Sequence, residues 1–435
     1  MRQNKQESGN VKMRSKYYID PAHIAWILLF FSIFSNIFKT SSSGIDAINE
    51  ANLFRIILVS GAIFISLSCL LMRKNGISVL FTGPQKWLLI FSALALFSGI
   101  YASHGFYAIW KAIEIVAHVL LIGAVLSSPD PEVCTQRLFQ ICPMMFLLIV
   151  FLIWTGAIIR PSEAFYVGNG LFILIKSLWP PMDANGVGFV SGFLVLVSVT
   201  RIIDYKRKSK MFYIVVLLMA GPLFIIAQHR TSLGGFAVGF FFYIFLTRGK
   251  SSFTFLAVLI FLIALAGSEA LYEYLRRGES DEALQTLSGR VLAWQAALAY
   301  FKKSPLIGQG FASAGRFDVI GGGRGGFIFN AFLDVLIGVG ILGVVPWLLG
   351  IFSTIRRLWT SAYRSREDDR EMRSDKALAF AMMIYLIFRS LTSVGISGHE
   401  FAFLIFDILV CSSWVWTRHP QTVLRPVYAV NVLPK

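Results

Sequence analysis

Phe212–Ile226 reads FYIVVLLMAGPLFII, a run without a charged residue, followed by QHRTS at 228–232 and a second apolar run over 232–247. Leu256–Ala266 is equally continuous. A strand of a membrane barrel alternates apolar and polar residues over about ten positions, whereas a helix crossing a bilayer needs roughly 20 mostly apolar residues in succession. These stretches fit the helix. Working outward, the 435-residue chain is 56% hydrophobic and 14% aromatic with only 15% charged residues, and its mean hydropathy is +0.67. Soluble domains carry charge on about a quarter of their residues. The composition excludes a soluble enzyme, a disordered chain and a secreted disulfide scaffold, and leaves an all-α, polytopic helical membrane protein.

The apolar blocks give about 12 spans, near 22–38, 53–72, 84–102, 105–126, 139–159, 184–202, 211–227, 232–247, 252–267, 327–353, 377–396 and 398–417. The net charge of +16 would suit nucleic acid, but the basic residues occupy every second joint: Arg2 to Lys16, Arg73 and Lys74, Arg201 to Lys210, Arg248 and Lys250, and Arg356 to Lys376. The joints between are poor in Lys and Arg. This alternation is the positive-inside rule, so the partner is the lipid bilayer and both termini are cytoplasmic. The expected organisation is a basic cytoplasmic tail (1–21), spans 1–9 (22–267), a periplasmic loop carrying amphipathic helices (268–326), spans 10–12 (327–417) and a cytoplasmic tail (418–435). The basic start lacks a cleavage motif after Phe38 and reads as an uncleaved first span. Of the four cysteines, Cys69, Cys142 and Cys411 fall in spans and Cys134 in an inner joint, which gives no disulfide framework.

Two outer segments carry most of the information. Arg160 to Asn185 holds Trp179-Pro180-Pro181, read as an interfacial turn. The loop 268–326 contains a helix that Ser288 can cap, with Val291, Trp294, Leu298 and Phe301 on one stripe and Lys302, Lys303 and Pro305 at its end. An outer arginine beside an apolar run needs a partner. Arg230 is one such residue, in a short joint, where snorkelling is the alternative. Arg290 is another, in the first turn of the loop helix, where a cation opposes the helix dipole unless an anion is bound. An ion pair with Asp281 or Glu282 is the alternative there. Lys111, Glu114 and His118 share one face of the fourth span. They suit either a proton path or mutual neutralisation, and the absence of a matching carboxylate on a second span favours neutralisation. Gly188/Gly192 and Gly235/Gly239 are small-xxx-small pairs for helix packing. No His pair or carboxylate cluster has metal-ligand spacing, so neither a metal nor another cofactor is expected.

The order of several short motifs resembles the bacterial O-antigen ligase and O-antigen polymerase superfamily. They are Asp183-Ala184-Asn185-Gly186-Val187-Gly188, Arg230-Thr231-Ser232-Leu233, Ser288-Gly289-Arg290-Val291-Leu292-Ala293-Trp294, Pro305 to Gly310, Asn330-Ala331-Phe332-Leu333-Asp334 and Gly340-Ile341-Leu342-Gly343. The resemblance covers most of the chain from 183 onward. It implies a metal-independent glycosyltransferase of the inner membrane that moves a glycan from an undecaprenyl-diphosphate carrier to an acceptor hydroxyl, on another lipid-linked glycan or on a lipid A core. It further implies that Arg230 and Arg290 hold the diphosphate. Arg324, Asn330 and Trp294 are candidate substrate-binding residues. The ligases have a histidine just before the matching asparagine, and Phe329 stands there in this chain. His399 and Glu400 at the last outer joint are the candidate bases, with Asp318 and Asp334 behind them. The rival class is a multi-pass transporter or lipid-linked glycan flippase working through Lys111, Glu114 and His118.

Overall fold

A computed structural model describes residues 19–35, 50–167, 173–204, 207–249, 252, 254, 268–276, 280–281, 286–287, 289–319, 328–365, 370–393 and 395–418. The long helices are α1 (Pro21–Ser35), α2 (Glu50–Met72), α3 (Gln85–Ser98), α4 (Gly105–Leu126), α5 (Pro131–Ile159), α6 (Ala184–Asp204), α7 (Arg207–Ile226) and α8 (Arg230–Arg248). After these come α9 (Ser268–Arg276), α10 (Arg290–Phe301), α11 (Ala331–Arg364), α12 (Arg370–Ser390) and α13 (Phe401–Arg418). Seven of them, α2, α4, α5, α6, α8, α11 and α13, are long and apolar enough to cross a membrane, and α1, α3 and α7 contain shorter apolar helices. The chain is therefore an all-α, multi-pass membrane protein. Eleven of the spans expected from hydropathy coincide with helices, and the ninth, 252–267, lies almost wholly outside the described residues.

Boundaries differ from the hydropathy reading where local chemistry sets them. α5 begins at Pro131, well before the apolar run, because the Asp130 carboxylate accepts the Val133 N–H at 3.1 Å and proline occupies the first turn. The Asn330 side chain caps α11 in the same way, accepting the Leu333 N–H at 3.0 Å. α11 is broken at Gly340, where φ is +63°. The break receives the loop Pro305 to Gly310: Ile341 donates to the Pro305 carbonyl at 3.0 Å, and Gly310 to the Gly338 carbonyl at 2.8 Å. A Cβ on Gly340 would stand 2.3 Å from the Leu306 oxygen. Two motifs far apart in sequence are thus one backbone splice.

The glycine pairs pack helices. A Cβ at Gly192 would meet the Tyr385 hydroxyl at 2.7 Å, and one at Gly239 the Ala381 carbonyl at 2.8 Å. α6 and α8 approach α12 through these positions, although α12 is too polar to satisfy the hydropathy criterion itself. Outside the helices lie two short hairpins, β1 (Phe165–Val167) with β2 (Ile173–Ile175) and β3 (Ser177–Leu178) with β4 (Pro181–Met182). Trp179-Pro180 makes the turn of the second.

The bundle has two distinct ends. One, the basic end, holds buried ion pairs: Arg73 with Asp20 at 2.8 Å, Arg201 with Asp375, and Asp204 with Arg248 at 2.6 Å and Arg370 at 2.9 Å. The other, the loop end, gathers the starts of α6, α8, α10, α11 and α13 and the end of α12.

Candidate functional site

The loop-end site is assembled by helix starts that abut one another. Gly188 on α6 lies so near the joint before α8 that a Cβ there would be 2.5 Å from the His229 Cβ. His229 bonds Ser232 Oγ at 2.6 Å through Nδ1, and Arg230 begins α8. The Arg230 guanidinium donates to the Arg276 carbonyl at 3.1 Å, at the last residue of α9. Thr231 and Thr392 share a hydroxyl bond of 2.6 Å, and Asn330 Nδ2 donates to the Leu391 carbonyl at 3.1 Å. The segment 391–392 therefore ties the start of α8 to the start of α11.

α10 begins where Gly289 adopts φ +84°, a left-handed conformation that favours glycine, so Arg290 is its first helical residue. The expected cap Ser288 lies outside the described residues. Arg290 stands over the Phe329 ring at 5.4 Å, so the residue before Asn330 serves as an aromatic platform. Asp281, the expected ion-pair alternative, meets Arg276 at 3.8 Å and accepts the Tyr272 hydroxyl at 3.2 Å. Glu282 lies outside the described residues.

Arg389, at the end of α12, was not singled out from sequence. Its guanidinium lies 3.7 Å from the centre of the Phe189 ring and 3.5 Å from Glu400 Oε2. The side chain is nearly buried and its Nε has no hydrogen-bond partner among the described residues. Asp334 accepts from the Ser397 side chain and is within electrostatic reach of Glu400.

The other sequence candidates fall in different settings. Trp294 spends its indole N–H on the Ile328 carbonyl at 2.9 Å and packs with Ala297, Ala314, Ile328 and Ile337. Asn330 is occupied by its cap and by Leu391. Arg324 lies outside the described residues, and Asp318 accepts from the Ser103 hydroxyl at 2.9 Å, away from Arg290. His399 is 4% exposed, with Nε2 at 2.6 Å from Ser32 Oγ and Nδ1 at 2.8 Å from His118 Nε2.

The reading of Lys111, Glu114 and His118 as self-contained needs correcting. Glu114 pairs with Lys111 at 3.1 Å, as expected, but also with buried Arg55 on α2. His118 bonds Asp407 on α13 at 2.6 Å. A second span does supply a carboxylate. The signal was present in sequence as a lone aspartate within the last apolar run, and the rule that intramembrane charges carry function applies to it. The same rule marks Arg389, which sits beside an apolar run at the joint before α13.

Chemically, the site offers guanidiniums from three helix ends and a carboxylate pair. This is a geometry suited to an anion beside a group that can take a proton. Residues 214–348 match a family model described as O-antigen ligase. No curated protein matches the chain. The matched segment contains Arg230, Arg290 and Asn330, and stops short of Arg389, His399, Glu400 and Asp407.

Proposed function

We propose that this membrane protein, whose residues 214–348 match a family model described as O-antigen ligase, is a polymerase- or ligase-type glycosyltransferase. It moves a glycan from an undecaprenyl-diphosphate carrier to an acceptor hydroxyl at the outer face of the inner membrane. The acceptor is another lipid-linked glycan or a lipid A core. In this reading both termini are cytoplasmic and the loop end faces outward. The observation that carries it is the placement of Arg230 and Arg290 as first residues of two helices that meet the 329–330 and 391–392 segments.

The mechanism follows from where charge develops. As the anomeric C–O bond to the carrier breaks, its electron pair moves onto the diphosphate. Guanidiniums fixed by a backbone carbonyl and an aromatic ring stabilise that charge without reorganising. Arginine suits the task because its planar fork meets two phosphate oxygens at once. Glu400, held by Arg389, takes the acceptor proton as the new glycosidic bond forms. His399 lies behind Glu400, with both ring nitrogens engaged. Trp294 holds the loop helix to α11 and so fixes Arg290, Asn330 fixes the start of α11, and Arg324 is the residue proposed for the sugar. The guanidiniums supply the positive field, so the reading requires no metal.

The test is transfer by purified protein in liposomes supplied with a lipid-diphosphate-linked glycan. Elongated carrier-linked product identifies a polymerase, and transfer only to added lipid A core identifies a ligase. Binding of the donor with no transfer to either acceptor would overturn the reading in favour of a carrier-lipid transporter. Orientation is tested separately with Ser280→Cys and Lys74→Cys. Both positions are exposed and all four native cysteines are buried. An impermeant maleimide should label only Ser280→Cys from the periplasm, and the reverse pattern sinks the topology.

A further inference from the structure

Four buried side chains from four parts of the bundle form one continuous hydrogen-bonded chain. Asp407 Oδ2 on α13 meets His118 Nδ1 on α4 at 2.6 Å, and His118 Nε2 meets His399 Nδ1 at 2.8 Å. His399 Nε2 then meets Ser32 Oγ on α1 at 2.6 Å. None of the four is more than 4% exposed.

Two assignments of the protons satisfy these contacts. In the first, the Ser32 hydroxyl donates to the Leu29 carbonyl at 2.7 Å, its oxygen accepts from His399, and His399 carries its proton on Nε2. His399 Nδ1 is then the acceptor for a proton on His118 Nε2. That leaves the short contact between His118 Nδ1 and Asp407. If His118 is neutral, its Nδ1 is a bare acceptor and Asp407 must be protonated. If Asp407 is ionised, His118 must be an imidazolium. Either way the pair holds one proton more than an aspartate beside a neutral imidazole. Asp407 Oδ1 has no hydrogen-bond donor among the described residues, which suits the carbonyl oxygen of an acid better than an ionised carboxylate.

The same atoms can hold the chain without that proton. Ser32 then donates to His399 Nε2, His399 Nδ1–H donates to His118 Nε2, and His118 Nδ1–H donates to an ionised Asp407. The two states differ by one proton and by rotation of the Ser32 hydroxyl. The discharged state carries one negative charge, and its surroundings can balance it. Arg55 and Lys111 share a single carboxylate, Glu114, and both arginine and lysine act electrostatically on His399. The remaining groups facing the chain are Cys411, one turn beyond Asp407, and the Glu400–Arg389 pair next to His399.

We infer that Ser32, His399, His118 and Asp407 form a proton relay that draws off the proton Glu400 receives from the acceptor hydroxyl, with Asp407 and His118 as its store. The existence of the store rests on hydrogen-bond geometry alone, and its use rests on the glycosyl transfer proposed above. In the step, the acceptor O–H bond breaks as the glycosidic C–O bond forms, and the carrier diphosphate departs with the C–O electron pair. Glu400 takes that proton and releases it, and it enters the discharged chain at Ser32 Oγ. Ser32 passes its own proton to His399 Nε2, His399 passes one from Nδ1 to His118 Nε2, and His118 Nδ1 shares one with Asp407. Return of a proton to solvent resets the chain.

Asp407→Asn separates a relay from packing. An amide N–H can donate to His118 Nδ1 and keep every bond of the loaded state, but it cannot discharge. The expected result is normal membrane insertion with turnover reduced on the order of 100-fold and a flattened pH profile, as for loss of a proton acceptor. Ser32→Ala cuts the entry and should lower turnover while leaving the store intact. Infrared pH titration of the purified protein reads the store without any substrate. Wild type and Ser32→Ala should show a buried carboxylic-acid band that Asp407→Asn lacks. Turnover and pH profile unchanged in Asp407→Asn overturn the relay. If that variant does not fold, unchanged turnover in Ser32→Ala overturns it equally. An Asp407 band in a wild-type protein that transfers no glycan would keep the proton store and reject the glycosyltransferase reading.

Discussion

The two ends of the bundle use arginine in opposite ways. At the basic end, Arg201, Arg248, Arg370 and Arg73 each meet an aspartate drawn from another part of the chain. At the loop end, Arg290 and Arg389 lie on the rings of Phe329 and Phe189, Arg389 also meets Glu400 at 3.5 Å, and Arg230 donates to a backbone carbonyl. A carboxylate engages the N–H edge of a guanidinium and cancels its charge. A ring engages its face and leaves the N–H edge for another group, for a gain of about 0.5–2 kcal/mol. The first arrangement closes a bundle, and the second suits the charge-stabilising role proposed above.

The sharpest way to break this contrast is at the basic end. Asp375→Asn removes the counter-charge of Arg201 from a pair that is almost fully buried, and should lower stability by about 3–5 kcal/mol. Thermal unfolding of the detergent-solubilised protein measures it, and an unchanged midpoint would deny that these pairs hold the bundle. At the loop end the order of effects reverses. Arg290→Lys and Arg230→Lys should each reduce glycan transfer on the order of 100-fold at normal protein level. The double variant should fall well short of the product if, as proposed, both residues act on one leaving group. Loss of folded protein in proportion to activity would make these arginines structural. Arg389→Lys should be milder, about tenfold in turnover or near 1.4 kcal/mol, since it acts through Glu400. Measured against pH, a shift of its profile supports that role, and a pure rise in KM argues for direct substrate contact instead. The smallest effect is expected for Phe329→Leu, which keeps the apolar volume and loses the ring. Its cost should be about 0.5–1 kcal/mol in transition-state binding. A loss as large as that of Arg290→Lys would mean that Phe329 itself touches the substrate.

Much of this was legible in the chain, though unevenly. Continuous apolar runs located nearly every helix, because a bilayer allows few alternatives to a helix that satisfies its own backbone. Small-xxx-small spacing marked Gly192 and Gly239 as close contacts, and the structure places them against Tyr385 and Ala381. The start of α5 was misplaced because hydropathy sees the apolar run, whereas Asp130 and Pro131 begin the helix earlier. In the site, Arg230 and Arg290 stood out because each breaks a local rule about charge beside apolar sequence. Arg389 and Asp407 break the same rule and were passed over, since neither belongs to a recognisable motif.

The sequence by itself determined the membrane-spanning helices, the polarity of the joints and the first-turn position of Arg290. Each of these depends on neighbours within a few residues. Tertiary structure alone decided that Gly340 opens α11 to receive Pro305 to Gly310, that Phe329 underlies Arg290, and that His118 finds Asp407 and His399. Those partners are brought together from different helices by packing. A buried hydrogen bond is fixed by distances of a few tenths of an ångström that no local pattern of residues encodes.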